Sequence, residues 1–373
     1  MRRLRPYIHQ LLDWPAFAWD PAALEALLGT VRHQQGRLLG RLEALGVDLR
    51  AEATLRTLTL DVLKSSEIEG ELLPPASVRS SIARRLGLEQ AALPPADRRV
   101  EGVVAMLLDA TQQATVPLTA ERLFGWHAAL FPTGYSGLYP LQVGAWRTGP
   151  MQVISGPLGR ERVHYDAPPT EQLAAQMAHF LAWFNHDQGL DPVLKAALAH
   201  FWFVTIHPFD DGNGRIARAI ADLQLTRADG TGQRCYSMSA QIQAERQAYY
   251  DLLETSQRGP LDVTPWLTWF LECLGRALQA AGQTLGQVLA KARFWEQHRD
   301  AAFTARQRQL LTRLLDGFEG KFTTAKWARM AHCSQDTAGR DIADLVAKGV
   351  LVHEGAGGRS TSYRLAPEAE PFH

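Results

Sequence analysis

The chain has 373 residues, 46% of them hydrophobic and 21% charged, and its formal net charge is zero. That balance fits a globular protein with room for two or three cores, and it argues against a globally basic nucleic-acid binder or an acidic tail, leaving only a local basic face open. The three cysteines, Cys235, Cys273 and Cys333, are far apart, without zinc-ligand spacing, and an odd count suits a reducing compartment. The first residues are basic but carry no sustained apolar run before Asp13 and Pro15, and no window approaches an uncharged membrane span. The expected location is therefore the cytoplasm, with no membrane partner.

In chain order, residues 1–20 are rich in aromatics (Tyr7, Trp14, Phe17, Trp19) and are expected to anchor on a later helix. Asp20-Pro21 is a helix start, with Asp as N-cap and Pro in the first turn, and helical apolar spacing runs to about Gly46. A second helix is predicted from about Ala51 to Glu69, stopped by Gly70 and then by Leu73-Pro74-Pro75. Further helices are predicted near 76–87, 97–115, 119–131, 169–187, 191–206, 214–227, 241–257 and 263–282. Residues 140–168 break this pattern with glycines, prolines and the short apolar runs Val153-Ile154 and Val163-His164-Tyr165, and are expected to form a β-hairpin flap. A polar helix near Gln287–Asp300 would lead into a tail. The tail reads helix (304–316), helix (323–331), helix (334–348), strand, Gly-rich turn at Gly355-Ala356-Gly357-Gly358, strand, which suggests a winged helix-turn-helix.

The densest chemistry lies between His207 and Arg218. An apolar helix, Leu194 to Ile206, delivers His207, and Pro208 forces the chain out of helix. A neutral imidazole near pH 7 can take a proton from a hydroxyl, which typically contributes ~10²–10⁴-fold. Asp211 is a hard oxygen ligand of the kind Mg²⁺ uses beside phosphates. Gly212 and Gly214 let backbone N–H groups approach an anion at the start of the next helix. Asn213 suits a cap or a phosphate donor. Arg215 and Arg218 stand three apart on one side of that helix, and their planar forks suit phosphate oxygens. Base, metal ligand, anion-binding turn and arginines together point to phosphoryl or nucleotidyl transfer. GxxxxGK[ST] and HExxH are absent, so neither a P-loop nor a zincin is implied.

The stretch His207-Pro208-Phe209-Asp210-Asp211-Gly212-Asn213-Gly214-Arg215-Ile216-Ala217-Arg218 resembles the Fic signature HxFx(D/E)GNGRxxR at every fixed position. The resemblance implies a mainly α fold, a Fic-type helical bundle with a β-hairpin flap. It implies transfer of AMP from ATP, with Mg²⁺, to a Ser, Thr or Tyr hydroxyl of a target protein and of the chain itself, releasing pyrophosphate. His207 would deprotonate that hydroxyl and Asp211 would hold Mg²⁺ between the α- and β-phosphates. Gly212, Asn213 and Gly214 would form the anion hole, with Arg215 on the β-phosphate and Arg218 on the γ-phosphate. The kinase-like branch of the family carries Lys where this chain has Gly214 and lacks the final Arg, which favours AMP transfer here. Arg147 looks like the entry to the flap, whose Val153 and Ile154 would pair with an extended target segment by main-chain bonding. Tyr249-Tyr250 resembles the paired aromatics near the adenine pocket, and core packing is the other reading of that pair.

Ser65 and Glu69 are four apart, hence on one helix face, and Glu69 sits at a helix C-terminus where negative charge is disfavoured unless a cation is near. Ser65, Glu69 and Gly70 resemble the inhibitory motif (S/T)xxxE(G/N) of regulated Fic proteins. It implies that Glu69 pairs with Arg218 and competes with the γ-phosphate. Some relatives also remove AMP with this Glu, and the sequence does not separate the two directions. The head resembles that of bacterial Fic proteins with the same tail. The organisation expected is 1–95 as an N-terminal extension carrying the inhibitory helix, 96–285 as the catalytic core and 295–373 as the winged helix. The winged helix could contact DNA, contact protein or make a homodimer. Asp336, Asp341 and Asp344 on its recognition helix would repel phosphates. A DNA-binding regulator with a nucleotide-sensing core and an AMP-removing hydrolase are the alternative functions.

Overall fold

The computed structural model describes residues 6–88, 97–157, 159–186, 189–315, 320–354 and 361–366. The described chain opens with a 3₁₀ turn, Ile8–Gln10, and continues with α1 (Pro21–Glu43), α2 (Val47–Ile68), α3 (Pro75–Arg85), α4 (Arg98–Gln112) and α5 (Ala120–Leu130). Two small hairpins follow, β1 (Tyr135–Ser136) with β2 (Tyr139–Pro140), and β3 (Gln152–Ser155) with β4 (Arg162–Asp166). Then come α6 (Thr170–Asn185), α7 (Pro192–Ile206), α8 (Asn213–Asp229), α9 (Met238–Ala244), α10 (Arg246–Gln257) and α11 (Thr264–Gln297). The last elements are α12 (Ala305–Leu315), α13 (Thr324–Met330), α14 (Gln335–Ala347), β5 (Leu351–Glu354) and β6 (Ser362–Leu365). The fold is mainly helical, and each sheet among the described residues is a two-stranded antiparallel hairpin. The chain divides into two compact units, residues 1–282 and 283–373.

Helix starts follow the capping chemistry. Asp20 accepts from Ala22 N at 3.0 Å, and Asp191 accepts from Val193 N at 2.7 Å with Pro192 in the first turn. The helix expected over 241–257 is instead two, broken at Glu245 (φ −112°, ψ 25°). Glu245 is held from the side by Arg276, whose Nε and Nη2 both lie 2.6 Å from its carboxylate. The helix over 263–282 and the polar helix near 287–300 are one element, α11, because no proline interrupts them. The hairpin β1–β2 was not expected; Gly134 (φ 76°) and Gly137 (φ 57°) make its tight turns.

The core of the first unit is built on α7. Every residue from Val193 to Ile206 is buried, so the helix, apolar but for Lys195, His200 and Thr205, packs all round. Fully burying side chains such as Phe201 and Phe203 stabilises by roughly 1.5–3 kcal/mol each. The helix end that carries His207 is therefore a fixed point. The head packs onto this helix, with the Phe17 ring 5.8 Å from Phe201 and 5.6 Å from Trp202. Further out, Tyr165 of β4 donates to Thr205 O at 2.7 Å and meets His9 Nδ1 at 3.0 Å.

A buried polar network ties α2 to α8. Arg234, fully buried, pairs with Asp222 at 2.7 Å, and Ser237 donates to the fully buried Asp61. Tyr236 donates to Asp229 at 2.8 Å, and Gln35 of α1 reaches the same carboxylate. Each of these groups has at least one polar partner, although Asp61 Oδ2 and Arg234 Nε are buried without a hydrogen bond.

The second unit has its own core, in which Phe294, Leu310, Leu311, Phe322, Trp327 and Ile342 meet. β5 pairs with β6, and Phe322 adds a bridge to Tyr363. The turn at Gly355-Ala356-Gly357-Gly358 lies outside the described residues. One of the three acids on α14, Asp341, does not face outward as expected, while Asp336 and Asp344 stay exposed. Asp341 is buried, bound by Arg306 and by Trp327 Nε1 at 3.3 Å, and Asp344 is held by Gln307 at 2.8 Å and Lys348 at 2.5 Å.

The Asp61 network carries a pH signature. Burial, then the nearby Asp222 charge, pushes the Asp61 carboxyl from its ordinary 3.8 up to about 7. Its folded form thus holds a proton that the unfolded chain has lost, and its share of the stability falls as pH rises through that window. Asp61→Asn should therefore gain on the parent as pH rises from 3.8 to about 7, read as a widening difference in melting temperature.

Candidate active site

A cavity of about 640 Å³ opens beside the C-terminus of α7. That size suits a small-molecule ligand. His207, Asp211, Gly212, Asn213 and Gly214 form its floor, Val153 and Ile154 of β3 one side, and Tyr249 and Tyr250 of α10 another. Glu69 closes it from α2.

His207 sits just past α7 in the left-handed region, φ 52° and ψ 58°. A non-glycine residue there costs of order 1–3 kcal/mol and needs its surroundings to hold it. Arg147 does so: its Nε donates to His207 O at 2.9 Å, and its backbone N–H to Pro208 O at 2.9 Å. The same guanidinium donates to Gly149 O at 2.8 Å and Pro168 O at 2.5 Å, so it also binds both ends of the flap. The imidazole is half-buried, with Nδ1 3.1 Å from Val204 O. A carbonyl only accepts, so Nδ1 carries the proton and Nε2 keeps a lone pair. Burial lowers the His207 pKa, with Arg147 adding to it, against a smaller upward pull from the Val204 carbonyl, Glu69 and Asp211. The ring is a neutral base near pH 7.

The turn 208–213 is closed by Asn213, whose side chain accepts from Phe209 N at 3.0 Å and donates to Phe209 O at 2.8 Å. Both ends of that amide are used locally. The side chain builds the turn and is not turned to a phosphate, so the contribution of Asn213 to an anion hole reduces to its backbone. Gly212 has φ 82°, and a Cβ there would press on Phe131 at 2.9 Å. A Cβ on Gly214 would land on Glu69 Oε1. Gly212 needs glycine for its conformation and for space, whereas a side chain at Gly214 would have to displace the Glu69 carboxylate.

Asp211 accepts from Ser136 Oγ and from Gly212 N, each at 2.5 Å, and its side chain is 41% exposed. No group of three His, Cys, Asp or Glu among the described residues could hold a metal ion. One exposed carboxylate fits a Mg²⁺ that arrives on a polyphosphate and keeps its waters, not an all-protein cage.

Neither arginine of the motif lines the cavity. Arg215 is drawn to Glu71, Nη1 to Oε2 3.1 Å, with its guanidinium 5.1 Å from the Phe131 ring centroid. Arg218 is buried and faces α2: Nε donates to Ser65 Oγ at 2.9 Å, Nη2 to Ser65 O at 2.8 Å and to Glu69 Oε1 at 2.8 Å. Burial alone would lower the Arg218 pKa, but Glu69 outweighs it and the pKa rises. Gly70 (φ 83°) ends α2, and the backbone N–H groups of Gly70 and Glu71 return to Glu67 O and Ser66 O at 3.0 Å each.

Tyr249 is buried and its hydroxyl is hydrogen-bonded to His200 Nε2 at 2.9 Å, while burial drives the His200 pKa to about 3 and keeps that ring neutral. Its ring lies 5.1 Å from that of Tyr250 and 5.6 Å from Trp269, so it is both core and cavity wall. Residues not anticipated from sequence include Glu71 and Arg246. Arg246 Nε donates to Ile68 O at 2.8 Å and so caps the last turn of α2 from α10. The signal for Glu71 is its position one residue beyond Gly70, where a second carboxylate can reach Arg215; Arg246 carries no sequence signal.

Residues 117–225 match the model of the Fic/DOC family, and residues 7–88 match a domain of unknown function, DUF4172. The His207–Arg218 stretch lies in the first match and Ser65–Gly70 in the second. The chain is 35% identical over 113 residues to the protein adenylyltransferase Fic of Aedes aegypti, 30% of this chain and 21% of that one. It is 27% identical over 220 residues to the protein adenylyltransferase Fic of Drosophila melanogaster, 58% of this chain and 40% of that one. The chain thus spans less than half the length of these relatives. Among solved structures it resembles a Fic family protein from Desulfovibrio desulfuricans G20, with TM-score 0.56 and 21% identity over 96% of this chain and 99% of that one. A Fic domain containing signaling protein from Bacteroides thetaiotaomicron has TM-score 0.51 and 21% identity, over 71% of this chain and 97% of that one. The chain carries a Fic/DOC family domain at residues 117–225, in a mainly helical fold shared over nearly its whole length with a Fic family protein.

Proposed function

We propose that the chain is a nucleotidyltransferase, a protein adenylyltransferase that moves AMP from ATP to a protein hydroxyl and is held off by its own α2. The observation that carries this reading is a neutral His207 and an anion-binding turn lining one cavity, while Arg215 and Arg218 of the same motif are taken up by Ser65, Glu69 and Glu71. His207 Nε2 would take the proton of the incoming hydroxyl. The backbone N–H groups of the 212–214 turn would receive phosphate oxygens at the N-terminus of α8. Tyr249 and Tyr250 would wall the base, and Val153 and Ile154 would hold the target segment by strand pairing. Asp211 would hold Mg²⁺, which supplies charge neutralisation on the phosphates.

Arg218 would hold the γ-phosphate once Glu69 leaves it. A buried arginine needs an anionic partner, so Glu69 and a phosphate compete for one place. Glu69→Gly should raise incorporation of label from α-labelled ATP into the proteins of a lysate by roughly 5–150-fold, the usual span of a coupling free energy. Adding His207→Ala should lower it again by roughly 10²–10⁴-fold. Unchanged incorporation in Glu69→Gly would remove the brake from the reading. The lowered His207 pKa fixes the pH dependence: loss of rate on acidification should set in below the ordinary histidine value of 6.5, measured on Glu69→Gly.

A second reading concerns the tail, whose element order is that of a winged helix. The inward pairing of Asp341 removes one of the three acids from the outer face of α14, and Arg340 on that helix is exposed. This favours a phosphate-facing role for α14. The full chain should retard duplex DNA in a gel at low salt and lose that affinity steeply as salt rises; no shift at low salt would dismiss DNA as a partner.

A further inference from the structure

The flap carries a second hydrogen-bonded chain that the transfer site does not use. Ser155 Oγ at the end of β3 lies 2.5 Å from His164 Nε2, and His164 Nδ1 lies 2.6 Å from Glu254 Oε2 on α10. Arg162 donates to the other oxygen of Glu254 at 2.7 Å. Glu254 is held below its usual pKa: its burial would raise it, but the bonds from His164 and Arg162 prevail, so it is an acceptor of the Nδ1 proton. Nε2 is then the lone-pair nitrogen, and the Ser155 hydroxyl donates to it.

The backbone is arranged for this. In the β3–β4 ladder Val153 faces Tyr165 and Ile154 faces Val163, so His164 is the extra residue of a bulge. A bulge re-aims the side chain it carries. The His164 carbonyl is fixed by Arg258, Nη2 to O 3.1 Å. Hydroxyl, imidazole and carboxylate in that order form an activated-nucleophile arrangement. Ser155 is exposed, and Ser155, His164, Arg162 and Glu254 line the same cavity as His207.

We infer that Ser155 is a second nucleophile of this cavity and an AMP acceptor within the chain, with His164 as its base; this rests on the nucleotide reading proposed above. In the step, Ser155 Oγ forms a bond to the α-phosphorus of ATP. The bond from that phosphorus to the oxygen bridging the β-phosphate breaks, and pyrophosphate leaves with the electron pair. The hydroxyl proton passes to His164 Nε2, and Glu254 stabilises the imidazolium.

The test uses the full chain with Glu69→Gly, incubated with Mg²⁺ and ATP and mapped by peptide mass spectrometry. An AMP adduct on Ser155 is expected that persists with His207→Ala and falls by roughly 10²–10⁴-fold with His164→Ala. A clamp that only held the flap would leave Ser155 unreactive. Transfer to lysate proteins without any adduct on Ser155 would overturn the inference while the transfer reading stood. If neither is seen, the nucleotide reading fails, and an organofluorophosphate decides the nucleophile: labelling of Ser155 lost in His164→Ala sustains it, and no labelling of Ser155 overturns it.

Discussion

A buried guanidinium must have an acceptor for its charge, and Arg218 meets that demand through α2. Its partners, Ser65 and Glu69, are both on the last turns of one helix. Breaking such a pair by removing one partner costs roughly 3–5 kcal/mol, because the other charge stays buried. The arginine therefore cannot stand empty. Either α2 supplies the anion or something else in the cavity must. The proposed brake follows from this demand without any moving lid.

The rest of α2 is not free to leave. Asp61, two turns earlier, is locked into the network of Ser237, Asp222 and Arg234, and the end of the helix is pinned by Arg246 on Ile68 O. Arg246, Tyr249 and Tyr250 all lie on α10, so the wall of the cavity and the cap of α2 share one helix. A ligand that shifts α10 against the last turn of α2 would act on Glu69 without touching it. Under the proposed function, relief of inhibition is then a local fraying of one helical turn, with the core network as its fixed end.

Much of this was legible where the signal is local. Caps at Asp20 and Asp191, the stop at Gly70, and the run from His207 to Arg218 each concentrate their information within a few residues, and the helices began and ended close to them. What failed was pairing at distance. Nothing in periodicity links Arg215 to Glu71, Ser237 to Asp61, or Arg147 to the His207 carbonyl. Asn213 is open in the sequence for a related reason: residue type fits both a phosphate and its own turn, and in the structure the turn takes both ends of the amide. The break at Glu245 is a third case, since Arg276 lies 31 residues away.

Arg147 shows how one unsignalled contact joins the parts. It fixes the left-handed backbone of His207, which decides where Nε2 points. It also binds Gly149 O and Pro168 O, which decide where β3 and β4 leave the core. The base and the strand that would present a hydroxyl to it are thus oriented by the same planar group, buried at 2% exposure. Each of its three nitrogens donates to a different carbonyl, an arrangement that the single ammonium of a lysine, on a flexible stem, does not reproduce. Catalytic distance in such a site is then a property of one guanidinium's geometry, and a displacement of about 1 Å there would cost on the order of 10²-fold in rate.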